Sequence, residues 1–371
     1  MRTATVVIIG GGPSGSMLAH YLCESGVDSI VIEQGAHFRD KTCAGALPIG
    51  LNDLLPEPLR KFSKTEYLSL SVNYRGISIA QQFSKSPFMY GVERKYFDEF
   101  LRSDIDVRYS EKFLGFDETK NGIITKTDKE SYFSKFLVGA DGVGSSVKRV
   151  ANIVSKQYFI IGEETESNNP LKSDSTARIF LGFNKMGYGW AFPKGDKISV
   201  GSGAVKRSFK KGTLLKFAKT SDTKANIFPI SIWQKAESIT KGRVALVGEA
   251  ASLVDPFTAA GIYSGIASAR ILSRVINKSL LNGNALLEGY NDEMEKSMYQ
   301  EFEYARLLSS IFYPFLWLTK GLIVKESTLD MLIEEAETGN LSYKSVYERV
   351  TNSKHLQLRL ALLFLKLIKR I

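Results

Sequence analysis

Cysteine is scarce in this sequence: Cys23 and Cys43 are the two in 371 residues. An iron–sulfur cluster takes about four ligands, so none is expected, and two thiols do not make a disulfide framework. A reducing, cytoplasmic setting is the default that follows. Long apolar runs are missing too, since no stretch reaches the roughly 18 to 20 residues of a membrane span. The run from Val6 to Ile9 is too short for a signal peptide and a glycine turn follows at once, so no leader is expected. There is no internal repeat, no low-complexity linker and no nucleic-acid motif. The 49 Lys and Arg against 39 Asp and Glu, a net charge of +10, are therefore not read as a nucleic-acid surface. An anionic membrane face is the better partner for that charge. With 44% hydrophobic residues the chain can bury a large core, in two domains or in one with lobes.

What is present starts at the beginning. Thr5 to Ile9 is a β-branched apolar run, Gly10-Gly11-Gly12-Pro13-Ser14-Gly15 follows directly, and Met17, Leu18, Tyr21 and Leu22 then recur at helical spacing. Strand, glycine turn and helix form the βαβ opening that binds a dinucleotide. Gly10 permits the turn, Gly12 lets the backbone approach a pyrophosphate, and Gly15 lets helix and strand pack closely. The helix start then offers its N–H groups and the positive end of its dipole to the phosphates. A second strand, Ser29 to Ile32, ends in Glu33, twenty-three residues after Gly10. A carboxylate there accepts both hydroxyls of an adenosine ribose and repels a 2′-phosphate.

Further along, Gly35 to Leu55 reads as a loop, and Cys43-Ala44-Gly45-Ala46 places small residues directly after the adenosine strand. Such residues let a chain pass close to a flat ring; an ordinary surface loop is the other reading. Tyr67 to Phe83 alternates as strands do, with Arg75-Gly76 at a turn. Val92 to Leu101 reads as a strand end running into a helix, where Arg94 either reaches a phosphate or a cofactor ring or makes a surface ion pair. A hairpin of Ile123-Ile124 and Tyr132 to Val138 delivers Asp141-Gly142, a second place to clamp a cofactor. Tyr188, Trp190 and Phe192 alternate with small residues on one face of a strand and either line an apolar cavity or form plain core. Val244 to Gly248 with Glu249, then Gly261-Ile262, present another helix start to an anionic or carbonyl group. There is one strand–glycine–helix fingerprint, so one bound cofactor is expected. From Ser279 the chain reads as helical. Its end, Leu356 to Ile371, is a basic amphipathic helix for a membrane interface or for docking on protein.

The order Gly10-x-Gly12-x-x-Gly15, Glu33, Arg94, Gly139-Ala140-Asp141-Gly142 and Gly248-Glu249-Ala250 resembles the p-hydroxybenzoate hydroxylase-like flavoproteins. Within them, Lys41-x-Cys43-x-Gly45, Val92-x-Arg94-x-x-Phe97-Asp98 and Tyr188-x-Trp190-x-Phe192-Pro193-Lys194 are similar to the geranylgeranyl reductase family. The resemblance spans about residues 1 to 270. It implies an α/β chain with a glutathione-reductase-like FAD-binding Rossmann domain (1–65, 92–150 and 240–285), an inserted antiparallel β-sheet substrate domain (66–91 and 151–239) and a C-terminal helical region (286–371). It implies bound FAD, with Ser14, Glu33, Cys43, Ala44, Arg94, Glu249, Gly261 and Ile262 in contact with the cofactor; the sequence itself encodes no metal cluster. Two departures stand out: Glu249 where relatives usually have Asp, and Ala259-Ala260-Gly261-Ile262 where they often have Gly-Glu-Gly-Ile.

The activity so implied is saturation of isolated double bonds on a polyprenyl chain of a lipid, quinone or pigment precursor. The alkene takes a hydride from reduced flavin and a proton from a side chain, with Cys43, Tyr188 and Tyr263 as donor candidates and Tyr188, Trp190 and Phe192 holding the substrate. Electrons come from an external NAD(P)H or an electron-carrier protein such as ferredoxin. The place of work is the cytoplasm, with peripheral contact at the inner membrane face as a further expectation. An FAD monooxygenase of an apolar substrate and a non-catalytic prenyl-lipid escort are the two rival readings.

Overall fold

The computed structural model describes residues 1–37, 42–155, 157–169, 173–212, 225–283, 286–287, 289–317, 319, 326–339 and 341–352. The expected amphipathic helix at 356–371, the segment 321–324 and the loop residues 38–41 lie outside the described residues. In chain order the strands begin with β1 (Arg2–Ile9), β2 (Ser29–Ile32), β3 (Ala46–Pro48), β4 (Ser63–Tyr67), β5 (Ser69–Tyr74) and β6 (Ile77–Phe83). They continue with β7 (Met89–Val92), β8 (Val107–Arg108), β9 (Phe113–Glu118), β10 (Ile123–Thr127), β11 (Ser131–Gly139) and β12 (Tyr158–Asn168). The last six are β13 (Thr176–Leu181), β14 (Gly187–Lys194), β15 (Lys197–Val205), β16 (Asn226–Ile232), β17 (Thr240–Lys241) and β18 (Val244–Leu246). Two compact units result. The first holds residues 1–41, 95–158 and 230–299, and the second holds 42–94, 159–229 and 300–371.

The first unit is built on a sheet of order β17-β18-β11-β1-β2-β8, with the β9–β10 hairpin added to β11. The pairs from β18 through β11, β1 and β2 to β8 are parallel. Val6, Val7 and Ile8 are fully buried, which is why β1 reads as a continuous apolar run: a central parallel strand is covered on both faces. Helix α1 (Pro13–Glu24) packs along the later helix Ile262–Leu281 and places Met17, Leu18 and Leu22 in the core.

The second unit carries a seven-stranded sheet, β16-β12-β15-β14-β13-β5-β6, and a three-stranded sheet, β3-β7-β4. The inserted sheet is not wholly antiparallel as expected: β5 and β13 run parallel, from Ser69 opposite Thr176 to Tyr74 opposite Leu181. A tight hairpin forces antiparallel pairing, but the chain makes a long excursion between these two strands, so no turn dictates their direction. The aromatic row of β14 sits in this unit's core. Trp190 and Phe192 pack with Tyr67, Phe88, Ala177 and Ile333, the last from the helix Glu326–Glu337. That helix is fastened at its end by Glu337, which accepts from the Ser84 hydroxyl and, at 2.8 Å, from the Lys85 amide. Among the described residues no helix is long and apolar enough to cross a membrane.

Candidate functional site

In the first unit the glycine turn folds against the end of β11. Gly10 adopts φ +105°, and a Cβ there would stand 2.4 Å from the Ala140 carbonyl oxygen. A Cβ on Gly15 would stand 2.0 Å from the Gly10 oxygen, so strand and helix meet only because neither residue has a side chain. The Ser14 hydroxyl fills the space between Gly248 and Gly265, 2.3 and 2.4 Å from where their Cβ atoms would lie. Gly10, Ser14, Asp141, Gly248 and the start of the Ile262–Leu281 helix are thereby gathered from four separate stretches of sequence.

Glu33 is buried and its carboxylate is held by backbone: Oε2 accepts from the Gly11 amide at 2.8 Å and Oε1 from the Gly35 amide at 2.7 Å. Asp141 Oδ2 accepts from the amides of Ser146 and Val147 at 2.6 and 3.3 Å. The Glu249 carboxylate accepts a long bond, 3.4 Å, from the Ser231 amide. Gly261 stands as N-cap of the Ile262–Leu281 helix, and Tyr263 in its first turn is 42% exposed.

These residues fit a dinucleotide such as FAD on three observations. Neither α1 nor the Ile262–Leu281 helix has a side-chain cap at its N-terminus, so the first amides of each remain to be satisfied from outside the helix. A Cβ on Gly12 would meet nothing within 4 Å, which leaves the backbone open to close approach. Asp141 Oδ1 is buried and has no hydrogen-bond partner among the described residues. Gly10, Gly12, Ser14 and Gly15 with the α1 amides would hold the pyrophosphate, Glu33 the adenosine ribose, and Asp141 with Gly142, Gly248 and Glu249 the far half. Among the described residues no cluster of His, Cys, Asp and Glu could hold a metal ion.

The remaining expected site residues belong to the second unit. The loop of Cys43 and Ala44 is drawn onto β7, where the Val92 amide donates to the Gly45 carbonyl at 2.8 Å. A Cβ on Gly45 would stand 2.3 Å from the Val92 oxygen and 3.1 Å from the Lys194 stem. Ala44 packs on the aromatic cluster, Cys43 is partly exposed with a free thiol, and Arg94 is buried. Of the aromatic row, Trp190 and Phe192 are core residues, whereas Tyr188 is half-buried at the margin, its ring 6.1 Å from that of Trp190. The loop, the aromatic row and Arg94 therefore share one neighbourhood of the second unit.

Several residues of consequence had no local signal in the sequence. Arg102, buried in the first unit, donates from Nε to the Gly11 carbonyl at 2.7 Å and from Nη1 to the His37 carbonyl at 3.0 Å. It ties the glycine turn to the segment that follows Glu33. Glu164 of β12 is 2% exposed and its carboxyl is pushed up to about 7, chiefly by burial. The Ser199 hydrogen bond, Lys194 and Arg94 act in the opposite direction, and Glu166 adds to the rise.

A family profile described as an FAD binding domain matches residues 3–48. The chain is 26% identical to the digeranylgeranylglycerophospholipid reductase of Methanococcus vannielii, over 92% of this chain and 94% of that protein. It is likewise 26% identical to the chloroplastic geranylgeranyl diphosphate reductase of Nicotiana tabacum, over 84% of this chain and 75% of that protein. A crystal structure of a geranylgeranyl bacteriochlorophyll reductase-like protein from Thermoplasma acidophilum matches with a TM-score of 0.77 at 22% identity, covering 97% of this chain and 98% of that one; this likeness shows the fold. The chain is an FAD-dependent oxidoreductase that resembles the geranylgeranyl reductases.

Proposed function

We propose that the protein saturates isolated double bonds of a polyprenyl chain carried on a lipid, quinone or pigment precursor. The observation that carries this reading is the row Tyr188, Trp190 and Phe192 on one face of the second unit's sheet, in a chain that is similar over most of its length to two reductases of geranylgeranyl compounds. When bound, FAD supplies the two-electron reducing chemistry, refilled from NAD(P)H or an electron-carrier protein such as ferredoxin. An isolated alkene has no carbonyl on which charge can rest, so the protein must place the bond and keep water away. Trp190 and Phe192 form core beneath the row, so Tyr188 is the member left to meet a prenyl chain, where each buried methylene contributes about 0.8 kcal/mol. Cys43, Tyr188 and Tyr263 carry exchangeable protons and stand as donors named by the sequence. The net charge of +10 suits an anionic headgroup or a membrane surface bearing the substrate.

The test is mass spectrometry of prenyl lipids incubated anaerobically with the reduced, FAD-loaded protein. Gains of two hydrogens per double bond are expected. Gain of oxygen on admitting air, with no anaerobic change, would replace the reading with a monooxygenase. A colourless protein that binds the lipid unchanged would leave an escort.

A further inference from the structure

The β14–β15 hairpin of the second unit differs in charge between its two ends. At its turn Lys194 pairs with Glu166, and Lys197 approaches the same acid at 3.7 Å. Its open end is basic. There the Val205 amide donates to the Met186 carbonyl at 3.0 Å, one pair beyond Gly187 and Ala204. Continued by one more residue, that register sets Lys185 beside Lys206. On the other flank Ile160 of β12 lies opposite Val205, so Phe159 stands beside Lys206 from that side.

Residues 206–212 then fold back across this sheet end and are held by their backbone. The Phe209 amide donates to the Val205 carbonyl at 3.0 Å and the Lys210 amide to Asn184 Oδ1 at 2.8 Å. The Gly212 amide meets both oxygens of Glu163, at 3.0 and 2.7 Å. With the backbone so fixed, Lys206, Arg207, Lys210 and Lys211 are exposed, as is Lys185. None of the five makes an ion pair among the described residues. Glu163 does not neutralise them: it is fully buried, and its carboxylate is taken up by the Gly212 amide and, at 3.2 Å, the Ser202 hydroxyl. Apolar side chains stand among the cations, with Phe159 36% exposed and Met186 and Phe209 half-buried. Like charges gathered without a counter-charge repel one another, a cost that an anionic partner relieves.

We propose that this end of the sheet docks on an anionic bilayer, with the five cations at the headgroups and Phe159 entering the interface. A cluster of about four to eight basic residues is the footprint of an anionic lipid surface. The apolar side chains set among the cations favour a bilayer over a soluble polyanion, because an interface rewards both kinds of contact at once. The same open end carries Tyr188, opposite Gly203, the member of the aromatic row left to meet a prenyl chain. A chain drawn from the bilayer here reaches Tyr188 first. The docking surface goes beyond the reductase reading; only this use of it, to load substrate, rests on that reading.

The test floats the FAD-loaded full chain with vesicles of equal parts phosphatidylglycerol and phosphatidylcholine, and with vesicles of phosphatidylcholine alone. Binding to the first and not to the second is expected, falling as salt is raised. K206Q/R207Q should weaken that binding about 30-fold, with flavin content and saturation of a detergent-dispersed prenyl lipid unchanged. F159S should weaken it severalfold. K120Q/K135Q removes the same charge from exposed lysines of the first unit and should change it by less than about twofold. Equal binding to neutral vesicles, an equal loss in K120Q/K135Q, tighter binding to an RNA oligonucleotide than to the vesicles, or release by millimolar inorganic phosphate would each overturn the docking surface. Charge-dependent vesicle binding by a protein that saturates no prenyl lipid would instead end the reductase reading and leave the docking surface in place.

Discussion

Glu33 and Glu164 are acids of equal burial, each 2% exposed, one in each unit. Glu33 takes two backbone amides on its two oxygens, at 2.7 and 2.8 Å. Glu164 takes one hydroxyl on one oxygen and leaves the other to itself. Backbone amides cannot move, so they hold the Glu33 carboxyl in one orientation. Glu164, without such amides, is pushed up to about 7 by burial. The first unit thus fixes its buried acid with backbone donors, whereas the second leaves its buried acid to desolvation.

The comparison breaks most completely at the glycine turn. Gly10→Val puts a side chain where 2.4 Å separates a Cβ from the Ala140 oxygen, at a backbone angle that β-branched residues avoid. The purified variant should carry no flavin absorbance, whereas changes at the aromatic row should leave it intact.

Next in size is the cost of ionising Glu164. Its pKa is raised from 4.5 to about 7, so the fold favours the protonated form. The stability this gives is complete below the unfolded value and is lost as pH climbs through about 7. Denaturant titrations across that window should lose on the order of 3 kcal/mol in the native protein, and E164Q should flatten the slope. A slope that survives in E164Q would place the proton elsewhere.

Glu33→Ala strands the buried Gly11 amide and the partly buried Gly35 amide and removes their acceptor, a loss of about 1.5–3 kcal/mol. FAD should bind roughly 10- to 100-fold more weakly by equilibrium dialysis. Smallest is Trp190→Phe, which keeps a ring over Gly201 but deletes the donor to Ser199. It should lower stability by about 1 kcal/mol and leave flavin content as it was.

The two halves also differed in how far the sequence disclosed them. Gly10, Gly12, Gly15 and Glu33 form a local pattern whose spacing follows from one strand, one turn and one helix, so residue order alone exposed it. Asp141 and Gly248 were legible for the same reason, each standing at the end of a short apolar strand. Arg102 was not, because the Gly11 carbonyl it locks is 91 residues away. In the sheet half, alternation put Tyr188, Trp190 and Phe192 on one face but could not say which strands flank them. Glu164 meets Ser199 across 35 residues of sequence, through a register set by the sheet. The parallel pairing of β5 with β13 escaped for a like reason: no turn joins them. The burial of Trp190 and Phe192 in the core depends on the Glu326–Glu337 helix, far along the chain.

The most direct test of the account is an anaerobic titration of the reduced, FAD-loaded protein with a defined geranylgeranyl lipid. The flavin's oxidised absorbance should return without oxygen, one equivalent for each double bond lost. Reduced flavin that stays reduced until air is admitted would contradict it.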